Sequence, residues 1–242
     1  TGTPMYLPTG YSIITGSSDS YIVGPGVDLT GADLIGANLT GIDLTGADLT
    51  DVTSGSVTGA PTMPTGYGII NNYIVGPNVD LTGTNLTGAD LGGVDLTGAD
   101  LTGADLTDVT SGSVTGAPTL PTDYILVNGY IVGPNLDLTG ADLTGGDLAG
   151  VDLTGTDLTG VLGSVAGVPT LPAEYSIINN YIVGPNVDLT GADLTDADLN
   201  GINLTGVTLT GATLTGVSGS ITGVPAELGD FNIINGYLVG PG

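Results

Sequence analysis

Apolar and polar positions alternate along this chain in a five-residue beat. Val27-Asp28-Leu29-Thr30-Gly31 is followed by Ala32-Asp33-Leu34-Ile35-Gly36 and Ala37-Asn38-Leu39-Thr40-Gly41. Leu holds the third place at 29, 34, 39, 44 and 49, then at 81, 86, 91, 96, 101 and 106. It returns at 138, 143, 148, 153 and 158, and again at 189, 194, 199, 204, 209 and 214. A period of five fits neither a helix, at about 3.6, nor a flat strand, at about 2. It fits a short extended segment plus a turn. The first-place Ala, Val or Ile and the third-place Leu are two apart, so they point to one side and the Asp between them points away. Gly at the fifth place permits a sharp corner of positive φ, and Thr at the fourth can bond locally there. A strict short period means that one small unit is stacked many times.

A longer period lies above the pentad. Tyr21-Ile22-Val23-Gly24-Pro25 recurs from Tyr73, Tyr130 and Tyr181, and as Tyr237-Leu238-Val239-Gly240-Pro241, at spacings of 52, 57, 51 and 56. The first and third units carry five Leu words and the second and fourth carry six, so length changes by one whole pentad. The remaining single-residue difference lies in the junction, Val-Thr-Ser-Gly-Ser in the first two units and Val-Leu-Gly-Ser or Val-Ser-Gly-Ser in the last two. The expected organisation is one continuous solenoid of units at about 1–52, 53–109, 110–160 and 161–216, with a partial fifth at 217–242.

The connectors between tracts are less regular and contain Pro and Tyr, as in Ala117-Pro118-Thr119-Leu120-Pro121-Thr122-Asp123-Tyr124. Asn-Asn or Asn-Gly between two β-rich triplets reads as a tight hairpin turn. A competing reading rests on Ile69, Ile74 and Val79, on Leu126, Ile131 and Leu136, and on Ile177, Ile182 and Val187, each five apart. By that spacing the five-residue register survives the connector. Continued coiling is the preferred expectation over a protruding hairpin, with Ala-Pro-Thr-x-Pro as a local bulge or loop.

The tracts 27–51, 79–108, 136–160 and 187–216 resemble the pentapeptide-repeat family, whose pattern is Ala-Asp/Asn-Leu-x-x. The resemblance implies an all-β fold, a right-handed quadrilateral β-helix (β-solenoid) with four pentads per square coil, here with irregular Pro/Tyr-containing connectors. On that geometry Leu stacks on Leu, and the whole chain would form about 12 coils and a rod of about 58 Å at a strand spacing of about 4.8 Å.

Composition narrows the chemistry. The 242 residues include no Lys, Arg, His or Cys, and 25 acids, so every formal side-chain charge is negative. Such a chain repels nucleic-acid phosphates and attracts cations, basic proteins or neutral polymers. Hydrophobic content of 40% argues against an acidic disordered tail. No apolar run approaches the roughly 18 residues of a membrane span. With no His, Cys, Lys or Arg, base, nucleophile and anion-clamp roles lack candidates, and a periodic array of acids singles out no catalytic pair. No enzyme activity, catalytic residue or cofactor is expected. Outward columns of Asp28, Asp33, Asp43, Asp48, Asp95, Asp100 and Asp105 set like charges about 5 Å apart, costing just under about 1 kcal/mol per pair in water. They are candidates for weakly bound Ca²⁺; the alternative is a solvated acidic face with diffuse counterions.

Asn38, Asn85 and Asn203 open Asn-Leu-Thr sequons, candidate glycosylation sites if not simple variants of the pentad. Tyr73, Tyr130, Tyr181 and Tyr237 recur once per unit. They are read either as coil-edge packing or as a lateral contact stripe for a partner or a neighbouring rod. The favoured function is a segment or protomer of an extracellular or cell-surface filament, stalk or adhesin, whose partner is itself, end to end or laterally. Near-copy units, the absence of distinct caps at Thr1-Gly2-Thr3-Pro4 and Gly240-Pro241-Gly242, and a surface without trypsin sites support it. The resemblance also implies an alternative, an acidic mimic of DNA that binds a topoisomerase, at about one charge per 2.3 Å against about 1.7 Å in DNA. An ice- or cation-binding face is a minor alternative.

Overall fold

Each pentad folds at its own corner. The N–H of the first-place residue donates to the Leu carbonyl three residues back, as in Ala32 to Leu29 at 2.8 Å and Ala99 to Leu96 at 3.0 Å. The third residue of that β-turn is the fifth-place Gly, at φ 68° for Gly31, which a turn of this kind requires. Where Asp51, Asp108 and Asp196 take the place of that Gly, φ is still 55–58°, within reach of a short polar side chain.

The computed structural model describes residues 6–228 and 231–240. The opening Thr1-Gly2-Thr3-Pro4 and the closing Pro241-Gly242 lie outside the described residues. Among the described residues the structure is all-β, with no helix and hence none long and apolar enough to cross a membrane. The chain groups into two compact units: residues up to Leu106 with Ser113–Thr122, and Thr107–Gly112 with the residues from Asp123 onward.

In the first unit, second-place residues pair in parallel with those 20 residues on: Asp28 with Asp48, Asp33 with Thr53, Asn38 with Thr58, Asp80 with Asp100. The second unit repeats this at Asp137 with Asp157, Asp188 with Thr208 and Asp193 with Thr213. Four pentads therefore bring the chain back over itself. Leu29 N–H donates to Asp48 O and Asp48 N–H to Val27 O, both at 2.9 Å, so each two-residue strand is tied to the next rung from both sides. All the tract leucines are buried, at no more than 4% exposure. Burying one Leu contributes about 1.5–3 kcal/mol before entropy is counted.

The connectors overturn the expectation of continued coiling. Among the described residues there are five antiparallel hairpins: β1 (Ser12–Thr15) with β2 (Ser20–Val23), β3 (Gly68–Ile70) with β4 (Tyr73–Val75), β5 (Ile125–Val127) with β6 (Tyr130–Val132), β7 (Ser176–Ile178) with β8 (Tyr181–Val183), and β9 (Asn232–Ile234) with β10 (Tyr237–Val239). Asn71 and Asn72, at φ 48° and 64°, make the two-residue turn with positive φ at both positions that suits a twisted hairpin. Ile69 and Ile74 face each other across the hairpin instead of stacking as successive corners. The same holds for Leu126 with Ile131 and Ile177 with Ile182.

These hairpins do not protrude. Ile74 N–H donates to Ser54 Oγ at 2.8 Å and Val57 N–H to Asn72 O at 3.0 Å. On the other side, Asn85 N–H donates to the Tyr73 hydroxyl at 3.3 Å and Asn71 Nδ2 to Thr87 O at 2.9 Å. The hairpin is thus inserted between two rungs. Its rung is seven residues longer than the regular twenty-residue return: Thr53 pairs with Asp80, Asp51 N–H reaches Asn78 O and Asp80 N–H reaches Val52 O. Ala-Pro-Thr-x-Pro is no outlying loop either, because Thr62 pairs with Asp43 and Thr119 with Asp100 in the wall, one residue short of 20. The shorter junctions of the later repeats take out their residue one word earlier, at Asp147 with Ala166 and Asn203 with Thr222.

Ser54 stands where the pentad pattern calls for Leu, because the strand above it needs an acceptor. Ser54→Leu, a change toward the consensus, is therefore expected to destabilise by about 1–3 kcal/mol, through an unpaired Ile74 amide and an overfilled site. Thermal unfolding followed by circular dichroism checks this; a Tm equal to or above that of the parent chain contradicts it.

Candidate functional site

The outward Asp of each word does a local job. Its Oδ1 accepts from the N–H two residues on: Asp28 from Thr30 at 3.0 Å, Asp43 from Thr45 at 2.9 Å, Asp48 from Thr50 at 3.0 Å, Asp100 from Thr102 at 2.8 Å. At several words the Thr hydroxyl donates to the same oxygen, at 2.6 Å for Thr45, Thr97 and Thr102. This is an Asx turn that holds the corner. The Thr hydroxyl and then the Thr amide hold Asp28, Asp43, Asp95, Asp100, Asp142, Asp152 and Asp193 below the ordinary carboxylate value; at Asp33 the donors are the Ser17 hydroxyl and the Ile35 amide. Asp105 pairs in the ladder with Asn85. Among the described residues no three acids converge on a metal-sized site. The columns are also interrupted: one runs Asp33, Thr53, Asp80, Asp100, Thr119.

The sequon Asn residues occupy the same corner. Asn38 Oδ1 accepts from the Thr40 amide at 3.0 Å and hydroxyl at 2.7 Å, and Asn85 Oδ1 from the Thr87 amide at 3.0 Å. Asn203 repeats this with Thr205, and its Nδ2 donates to Glu174 Oε2 at 2.6 Å.

Two sets of aromatic residues occupy the connectors. Tyr73, Tyr130 and Tyr181 are half-buried and Tyr237 is exposed. The Tyr73 ring lies against Gly55 and the Tyr130 ring against Gly112. The other set is Tyr11, Tyr67, Tyr124 and Tyr175. Their hydroxyls donate to the carbonyls of Pro25, Pro77, Pro134 and Pro185 at 2.9–3.1 Å. Their rings cover Gly24, Gly76, Gly133 and Gly184 so closely that a Cβ there would run into the ring. Phe231 covers Gly240 in the same way. The ring contact explains the Gly at 24, 76, 133, 184 and 240. Its signal in the sequence was the constant spacing of nine from Tyr67 to Gly76, Tyr124 to Gly133, Tyr175 to Gly184 and Phe231 to Gly240. Burial first, then Asp48 and Asp95, raises the Tyr67 phenol; burial, then Asp157 and Glu174, raises Tyr175.

A family model described as pentapeptide repeats matches eight copies, over residues 25–52, 78–110, 134–161 and 186–218, half of the chain. Comparison with curated proteins finds no match. Among solved structures, one that is similar is HetL, a pentapeptide repeat protein involved in heterocyst differentiation regulation from the cyanobacterium Nostoc sp. strain PCC 7120. It is 24% identical, over 89% of this chain and 92% of that chain, with a TM-score of 0.30.

The lowered Asp values fix the sign of the acid response. A carboxylate whose pKa is lower folded than unfolded adds stability that is present above its ordinary value of 3.8 and is lost as pH falls through the folded value. The Tm is therefore expected to fall on acidification below about pH 4. A Tm that rises there would mean that repulsion between carboxylates outweighs the Asx turns. Asp43→Asn, which keeps the acceptor, is expected to cost less than Asp43→Ala in the same melts.

Proposed function

Since this chain belongs to the pentapeptide-repeat family, we propose that its twenty-residue return closes into a right-handed quadrilateral β-helix, and that it serves as a non-enzymatic structural protein. In this reading it is a segment or protomer of an extracellular or cell-surface filament, stalk or adhesin, assembled by end-to-end β-helix stacking. The observation that carries the reading is a near-copy unit repeated in one register: the hairpins β3–β4, β5–β6 and β7–β8 pair alike, with Ile74, Ile131 and Ile182 at 0–3% exposure and Val75, Val132 and Val183 at 0–1%. Units of this kind stack on more of the same. The corresponding Ile22, at 46%, and Val239, at 43%, are the side chains that such stacking would cover.

An extracellular location is supported by the absence of Lys and Arg, which denies trypsin-like proteases a cleavage site. A topoisomerase-binding mimic of DNA is less well supported, since neutral Thr and the inserted hairpins break the carboxylate columns.

Electron microscopy and sedimentation velocity test the proposal. Long unbranched filaments, or at least end-to-end multimers that grow with protein concentration, are expected. Ile22→Lys combined with Val239→Lys is expected to leave monomers with an unchanged circular dichroism spectrum. Monomers of the parent chain at every concentration, with only short discrete rods in native material, would refute it.

A further inference from the structure

One groove shape occurs twice. In the first unit a groove of about 280 Å³ is lined by Tyr67, Gly68, Ile70, Val75, Val94 and Asp95. In the second unit a groove of about 320 Å³ is lined by Glu174, Tyr175, Ser176, Ile202, Asn203 and Thr222; the first five stand two repeats on from Gly66, Tyr67, Gly68, Val94 and Asp95. The space is real at the backbone level, because a Cβ on Gly68 would meet nothing within 4 Å. In both grooves the Tyr hydroxyl is engaged by a proline carbonyl, which fixes the ring as a wall. One carboxylate is present in each, from opposite sides. Asn203 replaces the Asp of the first groove, and Glu174 stands where the first has Gly66, its Oε2 accepting from Asn203 Nδ2 at 2.6 Å. In the repeat between, the corresponding positions are Asp123, Tyr124 and Asp152.

We propose that these grooves seat the Lys or Arg side chains of a basic polypeptide, the aliphatic stem along the Tyr ring and the Val94 or Ile202 wall and the charged head at the carboxylate. Three features select this occupant. The chain supplies 25 negative charges and no positive one, so no internal cation competes for the site. A carboxylate beside an aromatic ring and an aliphatic wall matches a cation on an apolar stem. A bare metal ion is a poor match, since no three acids converge among the described residues. The Thr97 hydroxyl and amide both donate to Asp95 and hold its carboxyl below the ordinary carboxylate value. The proposal does not depend on filament formation.

The test is titration of the full chain with a tetralysine peptide, followed by NMR of the tyrosine rings. Saturable shifts of the Tyr67 and Tyr175 rings are expected, and none with tetraalanine. Asp95→Asn with Glu174→Gln is expected to weaken binding several-fold. Asn and Gln keep the acceptors toward Thr97 and Asn203, so the fold is retained, which a thermal melt verifies. The control is Asp28→Asn with Asp188→Asn, an equal loss of charge outside the grooves, which is expected to change binding little. If the control pair weakens binding as much as the groove pair, or the rings do not shift, attraction is diffuse and the proposal fails.

Discussion

The corner turn at every fifth residue is the constraint on which everything else rests. A backbone that reverses direction so often leaves room for strands of only two residues. The Leu must then point inward and the Asp outward, because they are neighbours on an extended segment. A positive φ at the fifth place makes the turn affordable, so Gly recurs there, with Asp51, Asp108 and Asp196 as its short polar substitutes. The Asx bond from the second-place carboxylate to the amide two residues on braces the same corner from outside. One word thus supplies core, turn and brace.

The inserted hairpins show what a strict wall does with extra chain. The added residues, seven in the β3–β4 rung, are not expelled; they form an antiparallel layer between rungs, and both neighbours adjust to it. Below, Ser54 and Ser111 give up the Leu side chain to accept from Ile74 and Ile131. Above, Asn71, Asn128 and Asn179 reach with Nδ2 to Thr87, Thr144 and Thr195 carbonyls. Tyr67 and its counterparts then close the connector over a Gly that has no room for a side chain. Buried polar groups end up paired: among the described residues no buried side-chain nitrogen or oxygen lacks a partner.

The core of the tracts was legible in the sequence, since a period of five turns the first-place Ala or Val and the third-place Leu to one side, and both Leu34 and Ala37 are fully buried. The hairpins were legible too, in Asn71-Asn72 and Asn128-Gly129, but the five-residue spacing of Ile69, Ile74 and Val79 argued against them. That spacing has a separate cause. The return strand must rejoin the wall in phase, so Ile74 and Val79 are both buried, while Ile69 pairs across the hairpin. The acid columns were legible as positions but not as chemistry: repulsion is evident from composition, whereas the Asp-x-Thr Asx turn depends on a corner geometry that composition does not contain. The grooves at Tyr67 and Tyr175 were out of reach, because they join residues far apart in the chain across an inserted hairpin, Glu174 and Asn203 being 29 positions apart.

The twenty-residue return is the central claim, and the chain's lack of cysteine makes it directly measurable. Cysteines placed at Asp80 and Asp100, paired in the ladder, should close a disulfide on mild oxidation, since adjacent strands lie about 4.8 Å apart and the bond tolerates Cα separations of about 4.4–6.8 Å. Cysteines at Asp80 and Asp95, one word out of register, should not. Equal cross-linking of both pairs, or preference for the second, would contradict the fold described here.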